Sequence, residues 1–445
     1  MYTIINIINR RFCFITLIVV LFTSCKKEIE VIQKKNPEIV LDANRLAQPI
    51  ISLNHDTVYL LTSNLVRNAN EELNIEAGTL IKVKNNLSIT INPNGKINAN
   101  GTQENPIVFT SDAAKGTAGS VTGTGKYWNG ITLNGMQGTS SGYLKYVRIE
   151  FAGGNFFSSA FVLKNIDSTT LINNVQVSYS IISPAFEFNG GNFNASNLIS
   201  YASVGSDFLL TNGYTGNLQN LMAYRSPYFI NENSYQVAGM QIQGTNTFPT
   251  ISNLSVIGPD NQPGTKYVYD YTDSNNSGRR IAALYITNNA KFHIRNTVLA
   301  GFPKTGFYID NPSTASSLRL GESDFTYSLV HSNDSTRSFY IPDNLLVLSP
   351  PITAKDFKSV MLQPQFQNKL ILKTLEYQFT DPYNYNYGLN PQPKQGSLLL
   401  SGANFDGPVF SDPFFQKVNY RGAIGENNWL QNWTNFIPLQ TNYNN

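Results

Sequence analysis

The chain has 445 residues, more than one compact domain of roughly 100 to 200 residues requires, a length that several domains or a single repeat array would fill. Only 14% of residues are charged, and 32 Lys and Arg against 29 Asp and Glu leave a net charge of +3, without the basic excess that nucleic-acid binding needs, so no nucleic-acid partner is expected. With 55 Asn, 32 Gly and 12% aromatic residues, the composition is turn-forming and β-leaning, and an all-β fold is the expectation.

At the N-terminus, Arg10 and Arg11 precede an apolar run from Phe12 to Phe22. The run is shorter than the roughly 20 residues of a membrane-spanning helix, but it fits the core of a signal peptide. It ends in Phe22, Thr23, Ser24 and Cys25, which resembles a bacterial lipobox. That resemblance implies a signal peptide over residues 1–24 and acylation of Cys25, the first mature residue, with the acyl chains holding the protein to a membrane. Lys26 beside Cys25 is similar to lipoproteins released to the outer membrane, and Cys25, Lys26, Lys27 and Glu28 resemble surface-export tethers of the Bacteroidota. The implied location is the outer membrane, lipid-anchored and exposed at the cell surface. Cys13 leaves with the signal, so the mature chain forms no internal disulfide. Residues 25–52 carry mixed charge without strand alternation and read as a lipidated flexible tether.

From Leu73 apolar residues alternate and are broken by Gly and Asn, the pattern of short strands and turns. A six-residue pattern then recurs at Leu144–Ile149, Ile172–Val177, Ala195–Ser200, Leu218–Ala223, Ile251–Val256 and Ile294–Leu299, with a looser copy at Phe325–Val330. Its third positions, 146, 174, 197, 220, 253, 296 and 327, are separated by 28, 23, 23, 33, 43 and 31 residues. Three five-residue strands with their turns need roughly 20 to 25 residues, so each step reads as one coil of a parallel β-solenoid, the longer steps carrying insertions. Asn174, Asn197, Asn220, Asn253 and Asn296 would then stack at one turn, in left-handed backbone, with their amides bonded coil to coil. The solenoid is expected over residues 53–344, in eight to ten coils, with Leu53 to Ala69 protecting its open N-terminal edge. Residues 345–445, with a short helix near Ala354 to Leu362, are expected to form a C-terminal capping segment.

Leu73 to Val83 (LNIEAGTLIKV), Gly95 to Thr102 (GKINANGT), Asn105 to Ser111 (NPIVFTS) and Trp128 to Ile131 (WNGI) resemble coils of the right-handed parallel β-helix proteins of the pectate-lyase-like superfamily, common on Bacteroidota surfaces. Tyr420 to Trp429 (YRGAIGENNW), followed by Trp433 to Phe436 (WTNF), resembles the terminal motif of many members. The resemblance implies a right-handed, three-sheet β-helix. It does not imply an activity, because the superfamily holds lyases, hydrolases and adhesins.

Catalytic chemistry finds little support. His55, His293 and His331 lie in separate segments without metal-ligand spacing, and His293 reads as a solvent-facing strand residue, so no metal and no cofactor are expected. The Gly-rich stretch from Gly116 to Gly125 lacks the Lys-Ser/Thr ending of a phosphate loop. A β-helix lyase needs a cationic base beside Ca2+ held by several carboxylates. The best constellation is an insertion carrying Asp270, Asp273, Arg279 and Arg280, alongside Tyr267, Tyr269 and Tyr271 on one extended face. A second Tyr stripe is Tyr383, Tyr385 and Tyr387. These ten residues are the candidate contacts for a ligand or partner, since Tyr and Asn suit sugar stacking or a wet protein interface. The favoured reading is a non-catalytic binding scaffold for a glycan or an envelope protein. An accessory subunit of an outer-membrane assembly, export or uptake complex and a polysaccharide lyase or hydrolase are the alternatives.

Overall fold

The computed structural model describes residues 36–113, 127–154, 159–181, 184–226, 236–260, 262, 280–342, 345 and 353–443. Ile50–Leu53, Val58–Leu61 and Leu65–Arg67 form one coil; Glu72–Ile75, Leu80–Val83 and Ser88–Ile91 form the next. Each strand lies in parallel on its counterpart one coil on. Ile51, Leu73 and Ile97 are register partners on the first face, Tyr59, Ile81 and Phe109 on the second, and Ile89, Ile131 and Phe161 on the third. Such stacking buries every second side chain of a strand in a shared interior. The interior is apolar and rich in rings: Phe186 stacks on Phe208 at 4.9 Å, and Phe307 on Phe325 at 4.5 Å.

From Gly142–Glu150 to Thr250–Ile257 the first two faces run as one strand bent at a single left-handed residue, and in the last two coils the same position separates two short strands. Tyr146, Asn174, Asn197, Asn220, Asn253, Asn296 and Tyr327 occupy that bend, with φ between 51° and 58°. Val147, Val175, Leu198, Leu221 and Leu254 follow one another in register, as do Ser255, Val298 and Leu329, so each interval of the six-residue pattern is one coil. The described strands make ten coils, the last from Asp324–Thr326, Leu329–Ser332 and Phe339–Tyr340. The fold is a three-faced parallel β-helix.

Three boundaries differ from the expectation. Residues 36–52 are not tether: Glu38–Leu41 pairs in parallel with Val58–Leu61, and Ile50–Leu53 already belongs to the first coil. Four-residue strands give too short an alternation to show in a charged stretch, and their burial comes from the neighbouring coil. The N-terminal edge is covered by the short helix α1 (Ala43–Leu46), not by Leu53 to Ala69, which is coil. The Asp42 side chain accepts from Arg45 N at 3.0 Å to start α1. Buried Arg67 ties its end down, donating Nη1 to Gln48 O at 2.6 Å and Nη2 to Leu46 O.

Residues 345–445, expected as one capping segment, divide in two. Helix α2 (Pro312–Arg319), inserted between the last coils, and helix α3 (Ala354–Met361) close the C-terminal end, with Phe357 6.0 Å from Phe307. The chain then adds one strand, Lys369–Leu370, beside Leu329–Ser332 and turns back along the outside of the second face. The outward positions there explain its course. Ile199, Met222, Val298 and Leu329 form with Tyr377, Leu430, Trp433 and Phe436 a second apolar cluster outside the solenoid. A column of rings on successive coils, Tyr127, Phe151, Tyr179, Tyr201 and Tyr224, continues that cluster at spacings of 5.5 to 6.3 Å. Left uncovered, it would be a long apolar patch on the surface.

Candidate functional site

The Asn bend and the returning chain meet along one edge. Asn197 donates Nδ2 to Asn174 Oδ1 at 3.4 Å, and Asn220 donates to Asn197 Oδ1 at 3.1 Å. The amide ladder then stops. Asn253 turns its Nδ2 to the returning backbone, donating to Tyr420 O at 2.9 Å and Gly422 O at 3.2 Å. Asn296 does likewise, donating to Asn404 O at 3.1 Å and accepting from Asn404 N at 2.8 Å. Five side chains at one structural position thus do two jobs: three bond to one another, and two hold the return segment.

The return segment meets the coils at Gln416, at Tyr420 to Ala423 and again at Asn435. A cleft of about 480 Å3 opens beneath it. Asn197 and Asn220 are its floor, and Gln416, Lys417, Asn419, Tyr420, Asn427 and Trp429 are among its walls, with Glu426 the one carboxylate of the lining. Trp429 stacks on buried Trp433 at 6.1 Å and anchors its Nε1 on Ala423 O at 2.7 Å. Tyr420 packs so closely on Gly425 that a Cβ there would lie 2.3 Å from its ring, and burial raises its phenol pKa. Lys417 and Glu426 are exposed at the rim and of opposite sign. An amide floor with rigid rings and amides beside it offers hydrogen bonds and flat apolar contact to a neutral polar ligand.

Several charged groups elsewhere hold coils together. Asp207 and Arg225 form a buried pair at 2.7 Å; burial raises the Asp207 carboxyl, against the pull of the guanidinium. Glu150 is likewise raised by burial and accepts from Tyr443 Oη of the return segment at 2.7 Å. His293 is not freely solvent-facing, because its ring lies 4.8 Å from Phe248 and its Nδ1 meets Asp324 Oδ1 at 2.5 Å, with Arg295 on the other carboxylate oxygen at 2.9 Å. Burial alone would raise Asp324, but the bonds from His293 and Arg295 outweigh it and hold the carboxyl below its usual range. Among the described residues, no three His, Cys, Asp or Glu side chains are grouped to hold a metal ion.

The residues singled out in the sequence fall in several places. Cys25, Tyr267, Tyr269, Asp270, Tyr271, Asp273 and Arg279 lie outside the described residues, as does the stretch 116–125. Arg280 opens the strand Arg280–Thr287, its side chain also outside the description. Tyr383, Tyr385 and Tyr387 do not form one stripe. Tyr383 donates to Asp260 Oδ2 at 3.3 Å and Tyr385 to Arg225 O at 3.3 Å, both within the outer apolar cluster, whereas Tyr387 is 84% exposed. Alternation places them on one face, but this stretch is the loop of a short hairpin, between Phe379–Asp381 and Asn390–Pro393, and not a long strand. The cleft residues Lys417, Asn419, Tyr420, Glu426, Asn427 and Trp429 were not foreseen as a site. Their signal is the terminal Tyr420 to Trp429 motif, whose Gly422 lies against the Ser255 and Val298 side chains and whose Gly425 lies against the Tyr420 ring.

No curated protein and no solved structure matches the chain. The family model described as pectate-lyase like beta helix domain matches residues 46–340, the span of the coils and well over half of the sequence. With its coils, its left-handed Asn bend and that match together, the chain belongs to the pectate-lyase like β-helix family.

Proposed function

We propose that this protein is a non-catalytic glycan-binding scaffold, held on the outer surface of an outer membrane by acyl chains on Cys25. The observation that carries the binding reading is the cleft in which Tyr420 and Trp429 stand beside the amides of Asn197 and Asn220. Rings supply flat apolar area at low entropic cost, and side-chain amides supply both donors and acceptors, the combination that suits a saccharide. A lyase or hydrolase needs carboxylates in working positions, and the lining of this cleft carries only Glu426. Surface anchoring is supported by the Phe22 to Cys25 stretch and by the Lys that follows it.

The test is a glycan array probed with the full lipidated chain in mild detergent, followed by mass analysis of the bound saccharides. Retention of intact glycans supports the proposal. Shortened or unsaturated products would show an enzyme, and a stoichiometric envelope protein with no glycan would favour the accessory-subunit alternative.

A further inference from the structure

Each coil turns from the third face back to the first, and three successive turns run Asn212 to Gly216, Gly244 to Pro249 and Asn288 to Phe292. In the next coil the same connection is widened to hold α2. Asn289 ties that helix to the turn beside it: its backbone N donates at 3.1 Å to Asn311 Oδ1, which also caps α2 by accepting from Thr314 N at 3.1 Å. The same residue reaches the earlier turn, donating Nδ2 to Thr245 Oγ1 at 3.3 Å. The turns are one wall, and α2 with the residues after it the other, of a second cleft of about 620 Å3, a volume within the roughly 300 to 1,000 Å3 of small-molecule sites. It shares no lining residue with the cleft under the return segment.

The polar groups of this lining are available to a ligand. The hydroxyls of Thr215, Ser313 and Ser316 and the amide of Asn246 bond to no protein group among the described residues, and Thr215, Asn246 and Ser313 are exposed. Asn246 and Asn289 have left-handed backbone, at φ 70° and 66°, which fixes the shape of the turns that carry them. Two side chains add apolar area: Phe248 packs on the His293 ring at 4.8 Å, which Asp324 holds, and Leu320 is 62% exposed. Lys291 and Glu322, the charged residues of the lining apart from these, answer each other at 2.9 Å.

Resting on the glycan-binding reading, we propose that this cleft is a second saccharide site. Hydroxyls and amides without protein partners hold water, and the hydroxyls of a sugar replace that water bond for bond. Phe248 and Leu320 supply the apolar contact against which the C–H face of a sugar ring packs. The two clefts are separate, because Thr215 precedes Asn220 by five residues of mostly extended chain, about 17 Å at roughly 3.3 Å per residue. A polymeric glycan would thus be held at two points of one rigid body.

The experiment is hydrogen exchange read by mass spectrometry on the full lipidated protein in detergent, with neutral hexasaccharides of glucose, mannose, xylose and N-acetylglucosamine in turn. The expected result is added protection over residues 245–248, 288–291 and 313–322, besides that over 416–429. Ser316→Trp fills the second cleft and is expected to abolish the first three while leaving the protection over 416–429. Protection over 416–429 alone in the wild type, or protection at the second cleft that survives S316W, would overturn the second site and leave glycan binding standing. Protection at the second cleft alone would support it and count against the first. Should S316W not fold, Thr215→Trp fills the cleft from the opposite wall and carries the same expectation. No protection from any of the four glycans would overturn this inference together with the function on which it rests.

Discussion

Gln176 and Asn435, 259 residues apart in the chain, close a ring of two hydrogen bonds: Gln176 Nε2 donates to Asn435 O and Asn435 N donates to Gln176 Oε1, both at 2.8 Å. Gln219 treats Gln416 in the same way, at 2.7 Å and 2.8 Å. A side-chain amide has the donor and acceptor of a peptide group, so each Gln imitates one residue of a partner strand. The return segment is thereby paired to the second face without a continuous ladder. Gln176→Leu keeps most of the volume and leaves the buried backbone N–H and C=O of Asn435 unpaired, at a cost of about 1 to 3 kcal/mol for each such group. The expected outcome is that limited proteolysis cuts within residues 404–443 well before the coils, and denaturant titration shows a lower midpoint. Unchanged protection would mean that the apolar cluster alone holds the segment.

The Asp207 carboxylate accepts from Ser200 Oγ at 2.6 Å as well as from Arg225, whose guanidinium also reaches Gly205 O at 3.0 Å and Ser203 O at 2.9 Å. Arg225→Met leaves a buried acid without its cation and should cost about 3 to 5 kcal/mol at neutral pH. Because burial raises the Asp207 carboxyl, its folded form stays protonated to higher pH than its unfolded form. Its contribution is fully present below the unfolded value and is lost as pH rises through the folded one. The deficit of the variant should therefore shrink in acid, and Asp207→Asn added to Arg225→Met should restore much of the stability at pH 7, as thermal melts would show.

His331 accepts from Gly301 N through its Nδ1 at 3.1 Å. Burial lowers its pKa, against the opposing pull of Asp260 and Glu376. A depressed folded value means that the neutral ring's contribution is intact above the unfolded value of 6.5 and is lost as pH falls through the folded value. Melting temperatures taken from pH 7.5 to pH 5 should fall with a component that His331→Asn, which keeps an acceptor but does not titrate, removes. A slope identical in the two proteins would assign the acid loss to other groups.

Gly425 lets the Tyr420 ring lie against bare backbone, with ring atoms 2.3, 2.5 and 2.8 Å from where a Cβ would stand. Gly425→Ala must displace that ring, which lines the cleft, at a cost of about 1 to 3 kcal/mol if the segment stays attached. Saccharide affinity should fall more than overall stability does. Equal binding by G425A and wild type would remove Tyr420 from the recognition surface.

The coils were legible because a solenoid repeats its local rules: one left-handed Asn per turn and apolar residues at fixed offsets kept the register readable even across steps of 33 and 43 residues. Where the pattern is only four residues long, as at Glu38–Leu41, alternation does not distinguish a strand from tether. The return segment was not legible as such, since its attachment depends on single contacts such as Gln219 with Gln416 and Asn253 with Tyr420, which leave no period in the sequence. The cleft has the same origin. Its floor and its walls are brought together from residues about 200 positions apart, and only the Asn half announced itself.

The most direct measurement is hydrogen exchange read by mass spectrometry on the full chain, with and without a saturating saccharide identified on the array. The cleft predicts added protection in two separate stretches, around Asn197 to Asn220 and over residues 416–429, and little change along the third face. Protection confined to other parts of the solenoid, with those two stretches unaltered, would contradict the assignment of this cleft as the binding site.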